Sequence, residues 1–118
     1  MARVTSAFFV SALVRRAMHE GAFAALVRRG AEEAGVVFVL VDRLDGSVDL
    51  YGPAPQMMFA EDGPGDRLFM RIEAGVERPR ATARIDSELR FDSDLWLVEI
   101  EDREGRPFLD VVDPDRSR

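Results

Sequence analysis

The sequence predicts an α+β fold: a mainly antiparallel sheet of four to six strands, with two helices packed on one face. Three observations lead there. Two stretches repeat apolar residues at spacings of three and four, several short runs are rich in β-branched and aromatic residues, and turn chemistry at Asp45-Gly46 and over 102–106 punctuates the runs. The resulting order of one helix, four strands, a second helix and a further strand suits helices laid on a sheet.

The first helix spans residues 5–20. Thr5 or Ser6 is placed to cap it, Phe9, Val10, Leu13, Val14 and Ala17 form its apolar stripe, and Gly21 stops it. The alanine-rich run from Ala22 to Arg28, bounded by Gly21 and Gly30, reads as a short strand. Residues 36–42, Val-Val-Phe-Val-Leu-Val-Asp, are the clearest strand; apolar without alternation, the run predicts cover on both of its faces. Asp45-Gly46 turns it into a return strand from Val48 to Tyr51. Pro, Gly and acidic residues then make 53–67 a loop, interrupted by the apolar Met57, Met58 and Phe59. Leu68 to Ile72 is a strand that Gly75 ends.

Residues 77–91 form the second helix, with Pro79 in its first turn and a narrow stripe of Ala81, Ile85 and Leu89 that suits a surface position. From Leu95 to Glu101 strict alternation sets Trp96, Val98 and Ile100 on a buried face and Glu99 and Glu101 on a wet one. A second hairpin turn at 102–106 leads to an edge segment from Phe108 to Val112. The domain is accordingly placed at 1–112, with 113–118 as a flexible tail.

A chain of 118 residues is the length of one domain. It has no cysteine, and all 16 basic residues are arginine. Disulfides, thiolate metal sites, cysteine nucleophiles, Schiff-base lysines and the lysine of a Walker loop are therefore excluded. The net charge of −6 comes from the second half of the chain, the first half being balanced, and it opposes long-range attraction to nucleic acid or anionic lipid. The apolar run from Ala7 to Val14 is too short to span a membrane and meets Arg15-Arg16 in place of a cleavage site. A cytoplasmic protein without a membrane or nucleic-acid partner is expected.

Few residues are left to carry chemistry. His19 is the one histidine, at a helix end beside Glu20, where a capping role is the simpler reading; there is no second metal-binding histidine and no G-x-S-x-G elbow for a catalytic triad. Arg15, Arg16, Arg28 and Arg29 are the candidates for an anion site, because guanidinium forks match phosphate and carboxylate, although Glu32 and Glu33 offer them internal partners. Glu99, Glu101 and Asp102 are the candidates for a hard divalent cation, against the plainer reading of a solvated strand face. Asp42, Asp45 and Asp49 surround a turn, but not with EF-hand spacing. Met57, Met58 and Phe59 are the candidates for contact with a protein partner, since adaptable apolar side chains in a polar loop suit that role.

Arg15-Arg16, Arg28-Arg29-Gly30 with Ala34-Gly35, Asp45-Gly46 and above all the block Arg90-Phe91-Asp92-Ser93-Asp94-Leu95-Trp96 resemble a small bacterial family of unknown function found mainly in alphaproteobacteria. The resemblance runs nearly the length of the chain, implies a stand-alone domain and supplies no catalytic residues. The expected function is a binding or assembly module without catalytic activity or cofactor, homodimeric through an exposed strand edge or the methionine-bearing loop. The alternative is an anion- or divalent-metal-binding domain, or a small enzyme using arginine and carboxylate side chains.

Overall fold

Residues 4–55 and 67–113 are described by a computed structural model. Two helices and six strands follow in the order α1 (Ser6–His19), β1 (Phe23–Arg28), β2 (Val37–Asp42), β3 (Val48–Pro53), β4 (Leu68–Val76), α2 (Arg78–Phe91), β5 (Trp96–Glu101) and β6 (Asp110–Val111). The α+β class holds. The strands form one sheet in the spatial order β1-β5-β2-β3-β4-β6, antiparallel except where β5 meets β2 and β4 meets β6.

The longer of the two parallel pairings comes from β5. The chain crosses from β4 through α2 and inserts β5 between β1 and β2, pairing Val39 with Val98 in parallel and Ala24 with Ile100 antiparallel. The expected hairpin at 102–106 is therefore only half realised. The turn forms, with the Gly105 N–H donating to the Asp102 carbonyl at 2.9 Å and φ +74 at Gly105, but the chain leaves β5 and crosses to β4. There β6 pairs with Leu68 and Phe69 as the edge segment.

The helices lie on opposite faces, which corrects the one-face arrangement. Alternation along β2 puts Val37, Val39 and Val41 in one core with Val10, Leu13 and Ala17 of α1, and Phe38 and Leu40 in the other with Ala81 and Ile85 of α2. The uninterrupted apolar run of β2 calls for this two-sided cover. Trp96, Val98 and Ile100 fill the α1 side, while Leu50 and Leu95 fill the α2 side.

Local signals account for most element ends. The Thr5 hydroxyl oxygen accepts the Phe8 N–H at 3.1 Å as the cap of α1, and Gly21 stops that helix at φ +97. Gly75, expected to end β4, instead sits inside it at φ +62, where the β3–β4 register shifts. That bulge frees its N–H, which donates to the buried Asp49 carboxylate at 2.7 Å. Among the described residues no helix is long and apolar enough to cross a membrane.

Candidate functional site

The carboxylates of β5 do gather, with one change of membership. Asp42, opposite Glu101 in the parallel register, joins Glu99 and Glu101, and carboxylate oxygens of the three lie within 4.8 Å of one another. Asp102 turns away. The wet face expected for β5 is capped by Arg78, in the first turn of α2, which donates to Asp42 at 2.8 Å and to Glu99 at 2.7 Å. These bonds, that to Glu99 foremost, raise the Arg78 pKa. A guanidinium thus stands where a cation would balance the cluster.

Asp102 serves the crossing segment. Its carboxylate accepts the Arg106 backbone N–H at 2.8 Å and two guanidinium N–H groups at 2.9 Å, and these bonds hold its pKa below the usual carboxylate value. Arg106 also lies over the Phe108 ring at 5.0 Å.

The arginine pairs have separate surroundings. Arg15 borders a shallow hollow with Val10, Ser11, Val14 and Leu26, and Arg16 reaches the Phe108 carbonyl at 3.4 Å. Arg28 donates to the Ser93 carbonyl at 2.8 Å, while Arg29 lies over the Trp96 ring at 5.3 Å. Arg28 and Arg29 lead into the loop whose Glu32 and Glu33 carbonyls accept from the first turn of α1. Arg15 and Arg16 ride its far end, roughly 13 Å along the axis at helical rise.

Arg28, Gly30, Gly35 and the Asp94-Leu95-Trp96 segment form a clamp between two loops. The Ala31 N–H donates to the Asp94 carbonyl at 2.9 Å, and the Trp96 indole N–H donates to the Ala31 carbonyl at 2.7 Å. A Cβ at Gly30 or Gly35 would collide with the Asp94 carbonyl oxygen. Ser6, fully buried, donates its hydroxyl to the Gly35 carbonyl and ties α1 to the same point. These positions act in packing. Phe91, in the same sequence block, is exposed.

Met57, Met58 and Phe59 lie outside the described residues. His19 is exposed in the last turn of α1. Asp42 and Asp45 brace the β2–β3 turn by accepting the Leu44 and Ser47 N–H groups, at 2.8 and 2.9 Å.

Two features escaped sequence reasoning. The first is Asp49, which looks like a turn residue but is 1 % exposed and points to the α1 side. It accepts from Arg43 Nε at 2.9 Å and from Gly75, with an Arg71 nitrogen at 4.0 Å. Its place opposite Val41 at the middle of a sheet cannot be read without the register. The second is the outer edge of β1, without a strand neighbour among the described residues, where Phe23, Leu26 and Val27 are 53, 38 and 55 % exposed. The strand was legible, but its edge position depends on where β5 inserts.

A family model described as a protein of unknown function, DUF1491, matches residues 4–110. The solution structure of a protein from A. tumefaciens is 46% identical, covering 95% of this chain and 97% of that one with a TM-score of 0.83. A crystal structure of a DUF1491 family protein from Caulobacter crescentus is 36% identical, covering 95% and 100% with a TM-score of 0.77. An NMR structure of a DUF1491 family protein from the same organism is 37% identical, covering 96% and 100%, with a TM-score of 0.77. No curated protein matches the chain.

Proposed function

From the premise that the chain belongs to the DUF1491 family of proteins of unknown function, we propose that it is a non-catalytic cytoplasmic assembly module that pairs with a second copy of itself through the outer edge of β1. The observation that carries this reading is that edge: a six-residue strand with no strand neighbour on its outer side among the described residues and three large apolar side chains exposed along it. Edge strands left apolar are templates for pairing.

A second copy suits the edge for two reasons. A two-fold axis lays β1 antiparallel to its copy, which sets the Glu20 end of one strand against the Arg28-Arg29 end of the other. The hollow of about 320 Å³ between α1 and β1, bordered by Val10, Val14 and Leu26, lies beside the seam and gives apolar side chains of the copy a place to pack. The register shift between Leu26 and Arg28 limits regular pairing to the first four residues. The resulting contact is a short sheet continuation reinforced by α1.

Light scattering coupled to size exclusion over a range of concentrations tests the reading. A dimer is expected, converted to monomer by Val27→Lys or Leu26→Arg with the helical and sheet content unchanged. A wild-type chain that stays monomeric at the highest concentration would remove it.

A further inference from the structure

A hollow of about 590 Å³ lies at the opposite edge of the sheet from β1. Tyr51 and Arg71, paired across β3 and β4, form its polar side, and Ala74, Pro107, Leu109, Val111 and Val112 form its apolar side. The segment that crosses from β5 to β6 makes one wall, fixed by Asp102 with Arg106 at one end and by the Val112 N–H on the Phe69 carbonyl, at 2.8 Å, at the other. The hollow thus belongs to the fold itself.

The charges around it are unequal in role. Asp49 is satisfied by Arg43, which makes two contacts of 2.9 Å, and by the Gly75 N–H. Gly105 packs against the Arg43 guanidinium so closely that a Cβ there would approach it to 2.6 Å, which holds Arg43 on Asp49. Arg71 has one nitrogen 4.0 Å from Asp49 and a side-chain hydrogen bond with the Tyr51 phenol, and its side chain is 46% exposed on the lining of the hollow. The buried acid is therefore balanced chiefly by Arg43, and Arg71, whose nearer partner is a neutral phenol, keeps its charge on the lining of the hollow. A guanidinium fork beside a phenol and an apolar wall matches a carboxylate carried on an apolar body.

We propose that this hollow binds a small carboxylate with an apolar body, with Arg71 holding the carboxylate and Leu109, Val111 and Val112 covering the apolar part. The site is independent of pairing through β1, and it moves the anion expectation from the four arginines read in the sequence to one that was not.

Nuclear magnetic resonance titration of the full chain tests it, with benzoate as the probe, benzyl alcohol as its neutral counterpart and inorganic phosphate as a compact, more highly charged anion. Benzoate should move the amide signals of Tyr51, Arg71 and residues 109–112 saturably, and neither of the others should do so. Arg71→Gln should weaken benzoate about tenfold or more, the loss expected for a charge-assisted contact. Ala74→Glu, which adds a carboxylate at an exposed position of the lining, should weaken it as well without touching Arg71. No saturable shift with benzoate, an equal response to benzyl alcohol, tighter binding of phosphate, or unchanged affinity in Arg71→Gln would each overturn the proposal.

Discussion

At the residue scale, glycine and aspartate do work that their sequence neighbourhoods hide. Gly30 and Gly35 look like loop punctuation, yet the Asp94 carbonyl occupies the space a side chain would need. Gly30→Ala or Gly35→Ala should each destabilise the protein by about 1–3 kcal/mol, the usual cost of forcing atoms into a packed site. Urea titration would show it as a lower midpoint at unchanged slope. Asp49 is the opposite case, a charge inside a sheet, tolerated because Arg43 and the Gly75 N–H satisfy it. Asp49→Ala strands both donors and should cost about 3–5 kcal/mol, the range for breaking a buried pair from one side. No sequence pattern separates Asp49 from Asp45, four residues away across the same turn. Only their strand register does, and Asp45 ends exposed.

At the element scale, periodicity located helices and strands well and said little about what covers them. In β5 the alternation of Trp96, Val98 and Ile100 against Glu99 and Glu101 was read directly, and burial follows it. The first turn of α2, remote in sequence, then covers the acidic face with Arg78. Because that cation already fills the cluster, magnesium or calcium should leave the thermal midpoint of the wild type unchanged, whereas Arg78→Ala should become stabilised by either ion; differential scanning fluorimetry checks both outcomes. The crossing segment after β5 depends on Asp102 in a pH-dependent way. Bonds from the Arg106 side chain lower the folded-state pKa of Asp102, so its contribution is complete above the ordinary value of about 3.9 and is lost as pH falls through the lower, folded value. Asp102→Asn should therefore be less stable than wild type at neutral pH, and the difference should shrink below pH of about 4. Thermal melts across that range measure it.

At the scale of the whole molecule, the arrangement follows from inserting β5 between β1 and β2. That insertion leaves β1 at an edge, makes the sheet mixed, and obliges the chain after Glu101 to cross the α1 side of the sheet to reach β4. It also brings Asp94 and Trp96 under the 29–35 loop, so residues of the 90–96 block and the Gly30 and Gly35 region meet in one clamp. If that clamp joins the two halves of the sheet, Trp96→Phe, which removes the indole N–H while keeping an aromatic ring, should lower stability by about 1 kcal/mol or more for the lost bond and unpaired carbonyl. A lower midpoint of the single cooperative transition, followed by far-ultraviolet circular dichroism, is the readout.

By itself the sequence determined the fold class, the position of both helices and the principal strands, and the exclusion of cysteine and lysine chemistry, because periodicity, capping and composition are local properties of a chain. It also required cover on both faces of β2, since six apolar residues in a row cannot face water. The tertiary structure decided which helix covers which face, which carboxylates meet, and that Arg71, not the paired arginines, lines a hollow. Those outcomes depend on strand order and register, which are fixed by contacts between residues far apart in the chain, and a one-residue shift would send every side chain to the other face.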